Sequence, residues 1–191
     1  MKKALGAKTV LFPMPVFLVG TYDREERANL MVAAWGGICC GQPPCVAVSL
    51  REATHSYNSI VERQAFTVGI ACETQVAEAD YCGIYSGRDG DKFAAAGLTP
   101  VWSELVDAPY AAEFPLCLEC RLLHTVKIGL HTQFIGEIMN VLADESVLGE
   151  DGKPDIMKVR PLVFDFVSHG YHAIGQRIGR AYSSGKVLKK R

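Results

Sequence analysis

The sequence predicts a mainly β fold, a β-barrel with peripheral helices. Alternation of apolar and polar residues at period 2, together with short runs rich in β-branched residues, dominates the chain. The predicted strands outnumber the helices and do not alternate regularly with them, which disfavours a doubly wound parallel sheet. The sequence has no internal repeat and no interdomain linker, so we expect residues 1–191 to form one domain.

Turn signals rich in Pro, Gly and Asp separate the predicted strands. The strands are expected near Val16–Tyr22, Leu30–Gly36, Cys45–Leu50, Ala65–Ile70, Leu116–Val126, Gln133–Ala143 and Leu162–Val167. The helices are expected near Ser56–Arg63, Thr74–Cys82 and Asp91–Ala96.

The composition is that of an ordinary globular protein, with 49% apolar and 21% charged residues. The net charge of −1 argues against a nucleic-acid binder, which is usually basic overall. The longest nearly apolar stretch, from Leu30 to Gly41, is too short to span a membrane, so we expect no membrane association. The odd count of seven cysteines is unlike a secreted disulfide framework and favours the cytoplasm.

Several sequence motifs for catalysis and cofactor binding are absent. No G-x-G-x-x-G follows a predicted strand, so no built-in nicotinamide site is expected, and no Walker A motif occurs. No zinc-binding H-E-x-x-H, paired C-x-x-C or G-x-S-x-G motif occurs either, so we predict no metal site and name no catalytic residue. Cys117 and Cys120 would face opposite sides of a strand. We interpret them, and Cys39 and Cys40, as core thiols.

The segment from Asn29 to Gly36 is the first candidate ligand site. On a strand, four of its side chains would share one face: Asn29, Met31, Ala33 and Trp35. Small side chains would let a planar ligand approach the backbone, and the indole could wall one end. The alternative is a core strand with a packed tryptophan.

The second candidate begins with the apolar strand Cys45–Leu50, which runs into Arg51 and then a helix rich in hydroxyls at its start. Helix N-termini and guanidinium groups suit phosphate oxygens. Alternatively, Thr54 or Ser56 only caps the helix.

Three further segments carry isolated candidates. Lys92, after a Gly-rich loop, would be a mobile cation able to reach an anion, or a solvated surface lysine. His131 lies near the start of a predicted strand, where a lone histidine is more often structural. Phe164 and Phe166 would share one strand face and usually be core.

Taken in order from about Phe12 to Lys186, these segments resemble the flavin reductase-like family of FMN-binding split barrels. The residues that carry the resemblance are Asn29–Trp35, Pro43-Pro44, Ser49–Arg51, His55-Ser56, Asp80-Tyr81, Ser86-Gly87, Asp91–Phe93, Gly136–Ile138, Pro161-Leu162 and Tyr171. The resemblance implies a homodimer of six-stranded antiparallel barrels, with FMN bound noncovalently near the dimer interface.

The resemblance also implies which residues contact FMN. Around the ring and the ribityl chain it places Asn29, Met31, Ala33, Ala34 and Trp35. On the phosphate side it places Ser49, Arg51 and Ser56. The pocket would be completed by Lys92, His131 and Phe164.

An FMN-binding redox protein is therefore expected, and the resemblance leaves two functions open. One is an NAD(P)H:flavin oxidoreductase, and the other is a carrier that passes electrons between protein partners. A third alternative is a split barrel that binds a small ligand or haem without redox turnover. Lys92 and His131 are candidates for stabilising the reduced flavin or for neutralising the phosphate.

The C-terminal tail, about residues 175–191, has no acidic residue. Its basic residues are Arg177, Arg180, Lys186, Lys189, Lys190 and Arg191. It is either a solvated, partly frayed tail or a positive rim for an anionic ligand or partner.

Overall fold

The structure is a computed structural model that describes residues 1–190. Its strands are β1 Met14–Pro15, β2 Phe17–Tyr22, β3 Ala28–Ala33, β4 Gly36–Gly41, β5 Pro44–Arg51, β6 Ala65–Ile70, β7 Pro100–Trp102, β8 Pro109–Ala111, β9 Leu116–Ile128, β10 His131–Ala143, β11 Val163–Asp165 and β12 Gly170–His172. Its α-helices are α1 His55–Arg63, α2 Val76–Ile84, α3 Lys92–Ala95 and α4 Ile156–Val159. Short 3₁₀ helices cover Glu145–Val147 and Ser184–Lys190.

Seven of the strands form one antiparallel sheet in the order β3-β2-β6-β9-β10-β5-β4. The chain passes from β3 to β4 through Ala34 and Trp35 alone, so the two edge strands belong to one continuous segment. The backbone N–H of Ser49 on β5 donates to the Trp35 carbonyl at 2.8 Å. The sheet therefore curls into an antiparallel barrel, which confirms the predicted fold class.

The predicted strand Leu30–Gly36 is wrong in its second half. β3 ends at Ala33, and the chain then changes its hydrogen-bonding partner from β2 to β5. At this change Gly36 lies so close to the neighbouring chain that a Cβ would meet the Ala47 carbonyl oxygen at 2.5 Å. Alternation within the segment carries no signal for such a contact, so the sequence predicted neither the bend nor β4.

The core consists of two main clusters that share the strands of the barrel. The inner cluster fills the barrel and includes Phe66 and Phe134. The outer cluster packs α2 and α3 against β2 and β3 and includes Phe93. Leu18 belongs to the outer cluster and Val19 to the inner one, so β2 is buried on both faces. Burial of β2 on both faces fixes the position of β3, which leads into the candidate site.

The remaining differences from the sequence prediction are local. The predicted helix Thr74–Cys82 is shifted to Val76–Ile84, and the predicted strand Leu162–Val167 is only Val163–Asp165. The elements that the sequence did not predict are β1, β4, β7, β8, β12 and α4. Cys39 and Cys40 are exposed on β4, so their interpretation as core thiols is wrong, whereas Cys117 and Cys120 are buried.

The described part of the tail, residues 175–189, is almost entirely exposed. Arg191, which belongs to the predicted basic tail, lies outside the described residues. Within residues 1–190, no helix has the length and apolar character needed to cross a membrane.

Candidate functional site

A cavity of about 470 Å³ opens where β3 ends, β5 ends and β10 begins. We call it the main cavity. Eight of the predicted site residues line it: Met31, Ala33, Ala34, Trp35, Ser49, Arg51, His131 and Phe164. They come from four separate stretches of chain, which the fold brings together at one end of the barrel.

A second cavity of about 280 Å³, the side cavity, adjoins the first. The two share their lining at Met31, Val32, Thr54, Gly83 and Ile84. The side cavity is lined by the other three predicted residues, Asn29, Ser56 and Lys92. The structure therefore gathers all eleven predicted residues around one two-part cavity, whose combined size is that of a small-molecule site.

Trp35 forms a wall of the main cavity. Its ring centroid lies 4.5 Å from that of His131, with the planes 36° apart, and 5.9 Å from that of Phe166. The indole is only partly buried, so it is not a plain core residue. Trp35 follows the end of β3, so the expectation that it shares a strand face with Asn29 is wrong.

Aromatic side chains from β11, β12 and the turn between them also line the main cavity. Phe164 lies on β11, whereas Phe166 lies in the turn that follows, so the two do not share a strand face. Their centroids are 6.5 Å apart at 78°, and both rings line the cavity. The ring of His169 stacks on that of Phe166 at 6.0 Å. Sequence reasoning named neither Phe166 nor His169 as a site residue.

Tyr171 anchors this aromatic side to α2. Its hydroxyl donates to Asp80 Oδ1 at 3.0 Å, and both residues line the main cavity. Burial, reinforced by the Asp80 carboxylate, raises the pKa of Tyr171 to about 12. The phenol therefore stays protonated and keeps donating at any ordinary pH, which holds β12 in place.

The N-terminus of α1 opens on the side cavity. Thr54 occupies the N-cap position, but its hydroxyl donates to the Arg51 carbonyl at 2.9 Å and makes no capping bond. Ser56 lies inside the helix, so neither residue has the capping role that we considered. The first turn contains no acidic residue. Its N–H groups and the helix dipole therefore favour an anion in this cavity.

Asn29 has a polar atom to offer a ligand. The side chain is buried, and its Nδ2 donates to Ser56 Oγ at 2.9 Å. Its Oδ1 has no hydrogen-bond partner among the described residues. Gly87 covers this amide so closely that any Cβ at that position would collide with Oδ1 and with the His55 ring. The Gly-rich loop can therefore close over the side cavity only with glycine at position 87.

Lys92 is neither a mobile cation nor a solvated surface lysine, so both predictions made for it from the sequence are wrong. Its side chain is 4% exposed, and Nζ donates to the carbonyls of Cys82 and Tyr85, both at 3.0 Å. Burial lowers the pKa of Lys92, although the Cys82 thiol and Asp89 oppose this shift. An ammonium has three donors, so one remains for an anion in the side cavity.

Two arginines add positive charge around the site. Arg51 is exposed at the end of β5, and its guanidinium has no ion-pair partner in the described part of the chain. Arg88 lines the side cavity and donates through Nη1 to the Ala53 carbonyl at 3.0 Å. The sequence did not lead us to predict Arg88 as a site residue, although Arg88 lies in the Gly-rich loop before Lys92.

The structure separates the residues predicted for the phosphate side. Ser56 lines the side cavity, whereas Ser49 and Arg51 line the main cavity and not the side cavity. The strongest anion site that the geometry offers therefore combines Ser56, Lys92 and the start of α1.

Comparison with known proteins agrees with this geometry. The sequence model described as "Flavin reductase like domain" matches residues 9–174. The chain belongs to the flavin reductase-like family. This match covers every residue that lines the two cavities.

Three solved structures illustrate the similarity. Flavoredoxin of Desulfovibrio vulgaris (Miyazaki F) is 58% identical, with a TM-score of 0.93 over 97% of this chain and 100% of that one. A flavoredoxin from Methanosarcina acetivorans is 32% identical, with a TM-score of 0.91 over 98% and 100%. An FMN-binding protein from Thermus thermophilus shares the fold at 21% identity, with a TM-score of 0.79 over 94% and 97%.

Proposed function

We propose that this family member binds FMN noncovalently in the two-part cavity and carries electrons through it. The observation that carries the proposal is the pairing of an aromatic-walled main cavity with an adjoining anion-binding side cavity. FMN has the matching parts, a flat ring and a terminal phosphate. The similarity to two flavoredoxins supports an electron carrier.

The side chains present fit this ligand. Ala33 and Ala34 are small, so a flat ring can approach the backbone between Trp35 and Phe164. In the side cavity, the unpartnered Oδ1 of Asn29 can accept from a hydroxyl of the ribityl chain. Lys92 donates to two carbonyls, which fix its ammonium group at the side cavity that Ser56 also lines.

FMN, when bound, supplies the electron chemistry, and the protein supplies binding, orientation and electrostatics. Met31 and the two alanines exclude water from one side of the main cavity. His131 and Arg51 place hydrogen-bond donors at its rim, where they would favour an anionic ligand over a neutral one. A preference of about 1.4 kcal/mol for the anionic ligand changes the ratio of the two binding constants tenfold.

The test begins with titration of the purified chain with FMN, followed by anaerobic mixing of the complex with NADH, NADPH or a reduced iron–sulfur protein. The flavin absorbance reports both binding and reduction. We expect tight binding and fast bleaching by the protein donor only. Fast bleaching by a nicotinamide would instead support the reductase, which family membership favours. A chain that takes up no FMN would contradict both and leave a non-redox ligand module.

We also propose that the chain forms a homodimer through the outer end of the β9–β10 hairpin. Apolar side chains are exposed there at Leu123, Val126, Ile128 and Leu130, and exposed apolar patches commonly mark interfaces. Sedimentation equilibrium of the full chain and of Leu130→Glu tests this. We expect the variant to shift toward monomer, and a wild-type monomer would contradict the proposal. The single domain over residues 1–191 and the cytoplasmic location stay predictions.

A further inference from the structure

The β4–β5 hairpin concentrates three of the chain's cysteines at an edge of the sheet. Cys39 and Cys40 lie on β4 and are exposed, whereas Cys45 on β5 is 3% exposed. All three are free thiols. The proposed FMN site uses none of them, because the lining of both of its cavities excludes these residues.

The strand register places Cys40 directly opposite Cys45. Directly opposed residues of an antiparallel pair have their side chains on the same face and their Cα atoms about 4.5–5.5 Å apart. This separation falls within the range of about 4.4–6.8 Å found for disulfide-bonded cysteines. The Cys45 thiol donates to the Pro43 carbonyl at 3.4 Å, within the turn that joins the two strands, so its sulfur lies at the same end of the hairpin as Cys40.

Cys39 does not share this arrangement. The register between β4 and β5 shifts between Ile38 and Cys40, so Cys39 is the extra residue of a bulge and has no direct partner on β5. Cys39 lines a different cavity, together with residues of the N-terminal segment and Trp35. Cys39 therefore provides a matched control, a neighbouring exposed thiol that lacks an opposed partner.

The surroundings of the pair give its two thiols different roles. On the other side of β5, Glu137 lies opposite Cys45, and its Oε2 accepts from Arg121 Nη2 at 2.6 Å. Burial raises the pKa of the Cys45 thiol, and the thiols of Cys40 and Cys39 and the Glu137 carboxylate act in the same direction. Cys45 therefore stays protonated near neutral pH, and the accessible Cys40 is the thiol that reacts first.

We propose that Cys40 and Cys45 form a reversible cross-strand disulfide by exchange with an external disulfide. The Cys40 thiolate attacks one sulfur of R–S–S–R, which forms a mixed disulfide and releases RS⁻. Cys45 then loses its proton to solvent and attacks the Cys40 sulfur, which expels the second RS⁻. Two protein thiols are oxidised to one disulfide, and one external disulfide is reduced to two thiols. An excess of external dithiol reverses both steps.

The experiment treats the reduced full chain with oxidised glutathione, quenches with iodoacetamide in denaturant so that buried thiols are alkylated too, and measures the intact mass, before and after dithiothreitol. We expect the wild type to lose two alkylatable thiols out of seven, without a retained glutathione, and to regain them on reduction. Cys39→Ser should behave identically. Cys40→Ser should close no disulfide, and Cys45→Ser should stop at a glutathione adduct on Cys40.

Other outcomes overturn the proposal. They are a wild type that only accumulates glutathione adducts, a disulfide that persists in Cys40→Ser or disappears in Cys39→Ser, and a covalent dimer as the only oxidised product. Because Cys45 is buried, its variant could fail to fold. In that case the proposal is tested by disulfide formation in Cys40→Ser and in Cys39→Ser, because both substitutions are at exposed positions. Circular dichroism before oxidation confirms that both control variants are folded.

Discussion

The ring centroids of Trp35 and His131 lie 4.5 Å apart, although 95 residues lie between them in the sequence. Trp35 stands where the chain passes from β3 to β4, and His131 is the first residue of β10. β5 lies between these two points, and its Ser49 is bonded to the Trp35 carbonyl. The wall of the main cavity is thus held by three strands rather than by one.

We expect Trp35→Ala to lower the affinity for FMN more than it lowers folding stability. The indole is partly exposed and faces a cavity, so its truncation removes a ligand wall and leaves the packed core intact. A loss of about 10- to 100-fold in affinity corresponds to roughly 1.4–2.8 kcal/mol. Fluorescence titration with FMN and urea unfolding of the FMN-free chain measure the two quantities.

Trp102→Ala is the matched control for this substitution. Trp102 is 53% exposed and stacks on Tyr22 at 4.6 Å, away from both cavities of the proposed site. The Trp102→Ala substitution should leave the affinity for FMN unchanged. Equal losses of binding and stability in Trp35→Ala would show that Trp35 is an ordinary packing residue.

Alternation, short apolar runs and turn signals were enough to predict much of the barrel, because β10 buries alternate residues in its first half and β2, β5 and β6 are nearly continuous buried runs. They could not predict the bend at Ala34 and Trp35. That bend depends on Gly36 meeting Phe17 and Ala47, which are distant in sequence and near only once the barrel has closed. A local pattern records which residues are apolar, not where a strand exchanges one neighbour for another.

We expect the buried hydrogen bond between Asn29 and Ser56 to give a clear coupling in a double-mutant cycle. Ser56→Ala leaves the Asn29 amide without its acceptor, which costs about 1–3 kcal/mol of unfolding free energy. Asn29→Ala in the Ser56→Ala background should then cost less than it does in the wild type, because the hydrogen bond is already lost and the second substitution removes the unpaired donor. Urea unfolding of the four FMN-free proteins measures the coupling.

Additive effects in that cycle would contradict a direct bond. The comparison pair is Arg24→Ala with Glu62→Ala, a surface ion pair in which Arg24 is strongly exposed. Surface pairs contribute about 0–1 kcal/mol, so the coupling there should be smaller.

The position of a polar or thiol side chain was harder to predict than its chemistry. Lysine is rarely buried, so a loop residue such as Lys92 is reasonably expected in solvent. Its burial follows from two carbonyls at the end of α2, ten and seven residues earlier in the chain. Cysteine is commonly buried, yet Cys39 and Cys40 are exposed because β4 is an edge strand. In both cases tertiary contacts override the usual preference of the residue type.

We expect Cys117→Ser to leave electron transfer within about twofold of the wild type. Cys117 is buried on β9, and burial raises the pKa of its thiol to about 12, so it is a poor nucleophile near neutral pH. It lines neither cavity of the proposed site. The hydroxyl should lower stability by about 1–3 kcal/mol, as a poorly paired buried polar group does. Stopped-flow reduction of the FMN complex measures the rate, and a lost rate in a folded variant would contradict this.

We expect Lys92→Met to weaken FMN binding about 10- to 100-fold at pH 7, because it removes a buried charge-assisted donor. The pH dependence gives the sharper test. Burial lowers the pKa of Lys92 in the FMN-free chain, and a phosphate anion would raise it again. The complex then holds a proton that the free chain has lost, so affinity falls as the pH rises through the lowered pKa.

The folded chain binds fewer protons at Lys92 than the unfolded chain does in this pH range. The contribution of Lys92 to stability without FMN should therefore rise with pH until the ordinary lysine pKa is reached. Binding and stability thus change in opposite directions in the wild type, and Lys92→Met should remove both slopes. Lys127→Met, at an exposed lysine paired with Glu52, should keep them. FMN titrations and urea unfolding between pH 7 and pH 10 measure the two slopes. Equal pH dependence of binding in the wild type and Lys92→Met would contradict a phosphate in the side cavity.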